Sequence, residues 1–254
     1  MRVFKRDSRM VDEDNPYWMS FSDVMSALLI IFILASVALI IQLMEMQEEF
    51  RQRQEHFNQE IQALQQAEKV RRTILHEAAD MLRQRGIRVT VSENDTVLSI
   101  PNDILGFGTA KYEIGPAYQD TALEIGRVLS EVISRDNRVE YLDTIFIEGH
   151  TDNRPMSGFM GKGNWGLSAF RAISLWQFWD EKLEAPYRLA VLKNRDQQPL
   201  FSVSGYGPTR PVVKVQESEE QYRANRRIDI RFTIRRPDSA DYRRVRDQLE
   251  EVAP

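Results

Sequence analysis

One acid, Asp23, sits about one turn into an otherwise apolar run, Tyr17 to Ile41 (YWMSFSDVMSALLIIFILASVALII). A charged residue inside a membrane-spanning segment marks an ion pathway by default, because its placement there is costly. Ser20, Ser22 and Ser26 stand beside it, either lining a hydrated path or serving as small packing residues. Asp23 can also be read as a helix-start residue, favoured by the helix dipole and reaching headgroup water. Other chemistry-bearing types are sparse. The chain has no cysteine, which excludes disulfides, thiolate metal sites and cysteine nucleophiles. His56, His76 and His150 show no metal-ligand spacing, and His150 reads as a loop-orienting hydrogen-bonder, so no metal site is expected. No nucleophile–base pair is present, and Gly205-x-Gly207 reads as a strand-end turn rather than a phosphate loop. These absences point away from an enzyme, and no cofactor is expected beyond a transported ion, H⁺ or Na⁺.

The element that must position Asp23 is a membrane helix. Val24 to Ile41 is eighteen residues without a charge, roughly 27 Å of helix and close to the thickness of a bilayer core. The run is too long for a signal-peptide core, and Met44-Glu-Met-Gln-Glu-Glu follows it in place of a small-residue cleavage pattern. Arg2, Lys5, Arg6 and Arg9 precede the span, while only Arg51 and Arg53 follow closely. The positive-inside rule then puts the N-terminus in the cytoplasm and the rest outside, in the periplasm of a Gram-negative cell. Pro16 fits a first helical turn, and Tyr17 and Trp18 fit an interfacial belt. With 34 Lys and Arg against 38 Asp and Glu, the net charge of −4 gives no sign of a nucleic-acid partner.

The boundaries follow from changes of pattern: a polar tail over 1–15, the membrane helix over 16–43, a helical stalk over 44–86, a domain over 87–236 and a tail over 237–254, where Tyr242, Val245 and Leu249 share a helical face. From the end of the membrane helix into the stalk, Leu43, Phe50, Phe57, Ile61, Leu64 and Leu75 fall at a/d spacing. They fit either a parallel coiled coil continuing a dimeric membrane helix or a solvated amphipathic rod. Past Gly86 the period drops to two in 88–92 and 96–100, and again in 142–148, 200–204 and 228–234. Helical spacing returns over 118–132 and 167–183. The order ββαβαββ predicts an α+β domain, a mixed sheet with helices on one face.

Three segments carry a family resemblance: Glu148-Gly-His-Thr-Asp-Asn-Arg-Pro, Asn164-Trp-Gly-Leu-Ser-Ala-Phe-Arg-Ala, and Gly205-Tyr-Gly-Pro-Thr-Arg-Pro with Asn225-Arg-Arg-Ile-Asp-Ile. Together they resemble the OmpA-like peptidoglycan-binding domain across about 87–236. Peptidoglycan stems present carboxylates and, at diaminopimelate, an ammonium beside a carboxylate. An acid and a guanidinium held side by side suit that zwitterion. The resemblance implies that Asp152 takes the ammonium and Arg171 the carboxylate, with Thr151 and Asn164 as neighbours and Arg226 closing the pocket. If a helix begins at Leu167, Ser168 and the free N–H groups near it add an anion-favouring site. The plainer alternative is an ordinary Asp152–Arg171 ion pair tying a loop to a helix.

The segment Pro16-Tyr-Trp-Met-Ser-Phe-Ser-Asp-Val-Met-Ser-Ala resembles the membrane helix of the B subunit of ion-driven stator motors, the MotB, PomB and ZorB group. Its Pro-aromatic-Trp-x-Ser-aromatic-x-Asp arrangement is nearest to ZorB of the Zorya anti-phage system. The resemblance implies an inner-membrane homodimer standing inside a ring of five MotA- or ZorA-like A subunits. Asp23 would relay the ion, Ser22 and Ser26 would line its path, and the outer domain would hold peptidoglycan. A flagellar stator subunit and a passive wall tether are the alternatives. Two features depart from the pattern: Gly106 stands where a bulky residue is common, and 187–199 reads as an extra segment that could present a partner or sensing surface.

Overall fold

From Pro16 to Gln84 the sequence has no glycine and no second proline, and nothing interrupts its hydrogen-bond ladder. It forms one helix, α1 (Pro16–Gln84). The computed structural model describes residues 16–108, 110–158 and 161–236, with side chains from residue 21 onward. The expectations for the 1–15 tail, for the side chains of Tyr17, Trp18 and Ser20, and for a helix after Asp238 fall outside what is described. The chain divides into two units, Met1–Gln59 and Glu60–Pro254.

In the first unit the apolar side chains have no protein cover. Leu28, Leu29, Ile30, Ile31 and Phe32 are all exposed, and α1 is the one helix among the described residues long and apolar enough to cross a membrane. Beyond the run, Arg51 bridges Glu48 and Glu55, and Arg53 pairs with Glu49, at i,i+3 and i,i+4 spacing. Leu43, Phe50 and Phe57 of the expected seam are exposed.

The second unit begins inside the stretch read as stalk. Ile74, Leu75, Ala78, Ala79 and Leu82 are buried in its core, so Leu75 serves the domain rather than a helix–helix seam. Polar contacts reinforce this packing. Arg138 donates to both Glu77 oxygens at 2.7 and 3.0 Å. His76 and Arg72 lie 2.8 and 3.0 Å from the Asp95 carboxylate. The 86/87 boundary marks where the period changes, but the packing boundary lies at Glu60.

The sheet holds five strands in the order β1-β2-β5-β3-β4: β1 (Thr90–Val91), β2 (Val97–Pro101), β3 (Leu142–His150), β4 (Phe201–Gly205) and β5 (Arg227–Ile234). β3 and β4 are parallel and the other pairs antiparallel. The helices are α2 (Asn102–Leu105), α3 (Gln119–Ser134), α4 (Gly163–Lys182) and α5 (Glu219–Asn225). Strand alternation splits the sheet into two faces. Ile145, Ile147, Ile228, Ile230 and Phe232 enter the core with α3 and α4. Glu148, His150, Asp229 and Arg231 carry the opposite register. The mixed sheet with helices on one face is as expected from the sequence; α2 and α5 are additions.

Two glycines let α4 sit on the sheet backbone. A Cβ on Gly149 would lie 1.9 Å from the Ser168 carbonyl oxygen, and one on Gly205 2.4 Å from the Ala169 nitrogen. Gly106 has its own reason. It caps α2 at φ 63°, and the Tyr118 ring occupies the space a side chain would need, 2.0 Å from a Cβ there. The 187–199 segment folds onto the domain: Leu189 and Asn194 are buried, and Asn194 donates to the Asp143 carbonyl at 3.0 Å.

Candidate functional site

In α1, Ser26 donates its hydroxyl to the Ser22 carbonyl at 2.8 Å. That one-turn bond lies next to Asp23 along the helix, and Asp23, Ser22 and Ser26 are all exposed. Within this unit an acid and a hydroxyl pair are thus presented outward from an apolar helix.

In the second unit β3 ends at His150, and the chain turns immediately through Thr151 and Asp152. Thr151 N–H donates to the Gly207 carbonyl at 3.0 Å, and Asn153 N–H to Gln216 Oε1 at 3.0 Å, which fixes the turn from two sides. α4 then starts at Gly163, four residues before the expected Leu167, so Asn164 stands in its first turn. Asn164 Nδ2 donates back to the Arg154 carbonyl at 2.9 Å. From the other edge, Asn225 accepts from Val212 and Val213 N–H at 2.7 and 3.0 Å, holding the chain that leads into Arg226.

These elements enclose a cavity of about 360 Å³ whose lining includes all five expected residues: Asp152, Arg171, Thr151, Asn164 and Arg226. Their pairing differs from expectation. Asp152 and Arg171 form no ion pair among the described residues. Asp152 Oδ2 instead accepts from Arg226 Nη1 at 2.7 Å and from Arg154 Nη2 at 2.7 Å and Nε at 3.2 Å. Glu219 joins the same two arginines, to Arg226 at 2.5 Å and Arg154 at 3.1 Å. The Arg154 guanidinium also lies 4.3 Å from the Tyr222 ring centroid. Burial works to raise the Asp152 carboxyl pKa, but the hydrogen bonds from Arg154 and Arg226 outweigh it and hold the carboxyl below its usual value.

Arg171 has different partners. It shares a helix face with Leu167 and Leu175, all three buried, and a guanidinium there must find acceptors. Nε donates to the Lys111 carbonyl at 2.9 Å and Nη2 to the Gly108 carbonyl at 3.1 Å, so Arg171 anchors the backbone at Gly108 and Lys111, where Gly108 and Ala110 line the cavity. Burial first, then the charge of Arg226, pull its pKa down to about 10, with Asp152 opposing. The anion-favouring role for Ser168 is overturned. Ser168 lies in the second turn of α4, donates to the Trp165 carbonyl and accepts from Gly207 N–H, both at 2.9 Å; it staples α4 to the turn after β4.

The sequence reading missed Arg154 and Glu219. Arg154 belongs to the Glu148-Gly-His-Thr-Asp-Asn-Arg-Pro motif. Glu219 follows Ser218, which with Gln221 forms a capping box that opens α5 and was the available signal.

On the opposite sheet face, donor atoms of Glu148, His150 and Asp229 come within 4.8 Å of one another. Arg231 holds Glu148 at 2.8 and 2.9 Å. Arg227 holds Asp229 at 3.0 Å, and Ser99 adds a bond at 2.6 Å. A divalent ion would have to displace two guanidiniums from a buried cluster whose charges already balance, so these residues read as ties between β3 and β5. His150 stacks on Tyr206 at 5.5 Å, and its Nε2 lies 3.1 Å from Asp229 Oδ2. Its position at the end of β3, facing Asp229 of β5, places it between two strands rather than in a loop.

No protein-family profile matches the sequence. Over 86 residues, 34% of the chain, it is 35% identical to the uncharacterized protein YtxE of Bacillus subtilis and 33% identical to motility protein B of the same organism. Those segments span 31% and 28% of the two relatives, less than a third of either. Among solved structures, a MotB-like protein from Desulfovibrio vulgaris aligns with a TM-score of 0.49 at 21% identity, covering 68% of this chain and 99% of that one. Over about a third of its length, then, the sequence is similar to motility protein B.

Proposed function

We propose that the chain is the B subunit of a stator-type membrane motor. The observation that carries this reading is that one chain joins an acid-bearing apolar helix to an α+β domain with an arginine–aspartate cavity. A bilayer would cover the exposed apolar side chains of α1 that the protein leaves bare. Asp23 is the ion carrier, binding H⁺ or Na⁺ from one side and releasing it to the other as its surroundings change, and Ser22 and Ser26 offer oxygens along the path. Two copies stand within a ring of five A-type subunits, and alternating occupation of the two Asp23 carboxylates turns that ring. The N-terminus is cytoplasmic and the second unit periplasmic, where its cavity takes peptidoglycan stem peptides and keeps the dimer from turning with the ring. The similarity to motility protein B supports the stator reading. The Pro16-Tyr-Trp-Met-Ser-Phe-Ser-Asp segment supports a role in anti-phage defence over one in swimming.

The test is ion flux in proteoliposomes holding an activated complex of this chain with its A subunit, wild type against Asp23→Asn. Flux that disappears with the mutation while insertion and assembly persist supports the carrier role, and opposing proton and sodium gradients name the ion. An activated complex that conducts nothing, or conducts equally without the acid, leaves a wall tether without transport.

A further inference from the structure

Asp152 is paired with two cations before any ligand arrives. Its Oδ2 receives two guanidiniums, Arg226 and Arg154, each at 2.7 Å, and its Oδ1 receives the Arg154 backbone N–H at 3.1 Å. A ligand ammonium that takes Oδ2 must displace a guanidinium, since two cations already crowd that oxygen. The two arginines are unequal. The Arg226 side chain is 18% exposed and that of Arg154 48% exposed. Arg226 immediately precedes β5, and its backbone carbonyl accepts from Asn102 N–H at 3.0 Å. Arg154 lies in the turn between β3 and α4 and already touches a second set of partners, Glu219 Oε2 at 3.1 Å and the Tyr222 ring at 4.3 Å. Released from Asp152, its guanidinium keeps an acid and an aromatic face.

We infer that Arg154 is a built-in competitor for the ligand's ammonium: binding exchanges the Arg154 guanidinium on Asp152 for the ligand cation and passes Arg154 to Glu219 and Tyr222. This rests on the stem-peptide reading of the cavity. Arg154 thereby selects for ligands that bring their own cation, because a plain carboxylate gains nothing from displacing it. Free energy that the resting ion pair holds is subtracted from binding, so the wild-type site is weaker toward zwitterions than its contacts allow. Glu219 sets how readily the exchange happens, since it is the acceptor to which Arg154 moves.

The experiment titrates the full chain in detergent with free diaminopimelate and with the same molecule acetylated on both amines, which leaves its carboxylates and removes its cations. It compares wild type with Arg154→Ala, and uses Arg154→Gln as a second variant in case the first perturbs the turn. Loss of a half-exposed pair is expected to tighten diaminopimelate binding roughly two- to fivefold and to leave the acetylated probe unchanged. Glu219→Gln is expected to weaken diaminopimelate binding more in the wild type than when Arg154 is absent, where only its contact with Arg226 is lost. Equal or weaker diaminopimelate binding by both Arg154 variants overturns the exchange and makes Arg154 an ordinary ligand contact. No binding of either probe by any chain, wild type included, removes the stem-peptide reading and the exchange with it.

Discussion

Truncating Leu82 to alanine tests where the domain begins. Leu82 has no exposed surface and lies among Ile74, Leu75 and Ala78 of the same helix and the apolar side chains of the sheet and α3. If the last turns of α1 are core, the substitution removes buried methyl groups and leaves a void that close-packed neighbours fill only partly. Such Leu→Ala changes cost roughly 2–5 kcal/mol, which raises the unfolded-to-folded ratio by about 30-fold to several thousand-fold. With urea slopes of about 2 kcal/mol/M for a domain this size, the midpoint should fall by about 1–2.5 M. The assay is urea unfolding of the full chain in detergent, followed by tryptophan fluorescence. Trp179 is fully buried and donates to the Ala122 carbonyl at 2.7 Å, so it reports directly on the core. Phe57→Ala is the matched control, because Phe57 is 59% exposed and belongs to the first unit; its loss should move the midpoint by less than about 0.5 kcal/mol equivalent. An unchanged midpoint for Leu82→Ala would show that these turns are a removable stalk and would restore the boundary at 86/87.

Two further outcomes follow from the site and from the α1 clamp. Arg171→Ala should weaken binding to purified peptidoglycan sacculi and also speed hydrogen exchange at Gly108 and Lys111, whose carbonyls lose their donor; weaker binding with unchanged exchange would deny the anchoring role. Glu77 is held below its usual 4.5, first by the hydrogen bond from Arg138. Its contribution to stability is therefore complete above the unfolded value and lost as pH falls through the lower folded value. Between pH 6 and 3, Glu77→Gln should lose stability less steeply than wild type, and identical slopes would refute the assignment.

How much was legible depended on whether a pattern names its own partner. The alternation in 142–148 placed β3 because period two admits few other folds, and the motif segments placed Asp152, Arg171 and Arg226 around one cavity. The stalk boundary was not legible. Ile74, Leu75, Ala78 and Leu82 have the spacing of a buried face whether a second helix or a sheet covers it, and spacing alone does not say which. The start of α4 was missed because Gly163-Asn-Trp-Gly contains two poor helix formers. Its position is set by contact with the sheet: Gly149 and Gly205 admit the α4 backbone where any side chain would exclude it. α5 is seven residues long, too short for a convincing period.

The charge pairing inside the cavity was illegible for a deeper reason. Its members converge from the turn after β3, from α4, from α5 and from the residue before β5, so their partners are decided by tertiary geometry and not by spacing. Once assembled, that geometry ranks the two halves of a zwitterionic guest. Arg154, Arg171 and Arg226 face Asp152 and Glu219 around the cavity, leaving one cation in excess. The arginine with no carboxylate partner among the described residues is Arg171, and the charge of Arg226 already works against its protonated form. A guest carboxylate relieves that repulsion directly. A guest ammonium must instead displace a guanidinium from an acid that is already paired. The carboxylate end is therefore expected to supply most of the affinity and the ammonium end most of the selectivity, with Arg154 setting the threshold between them.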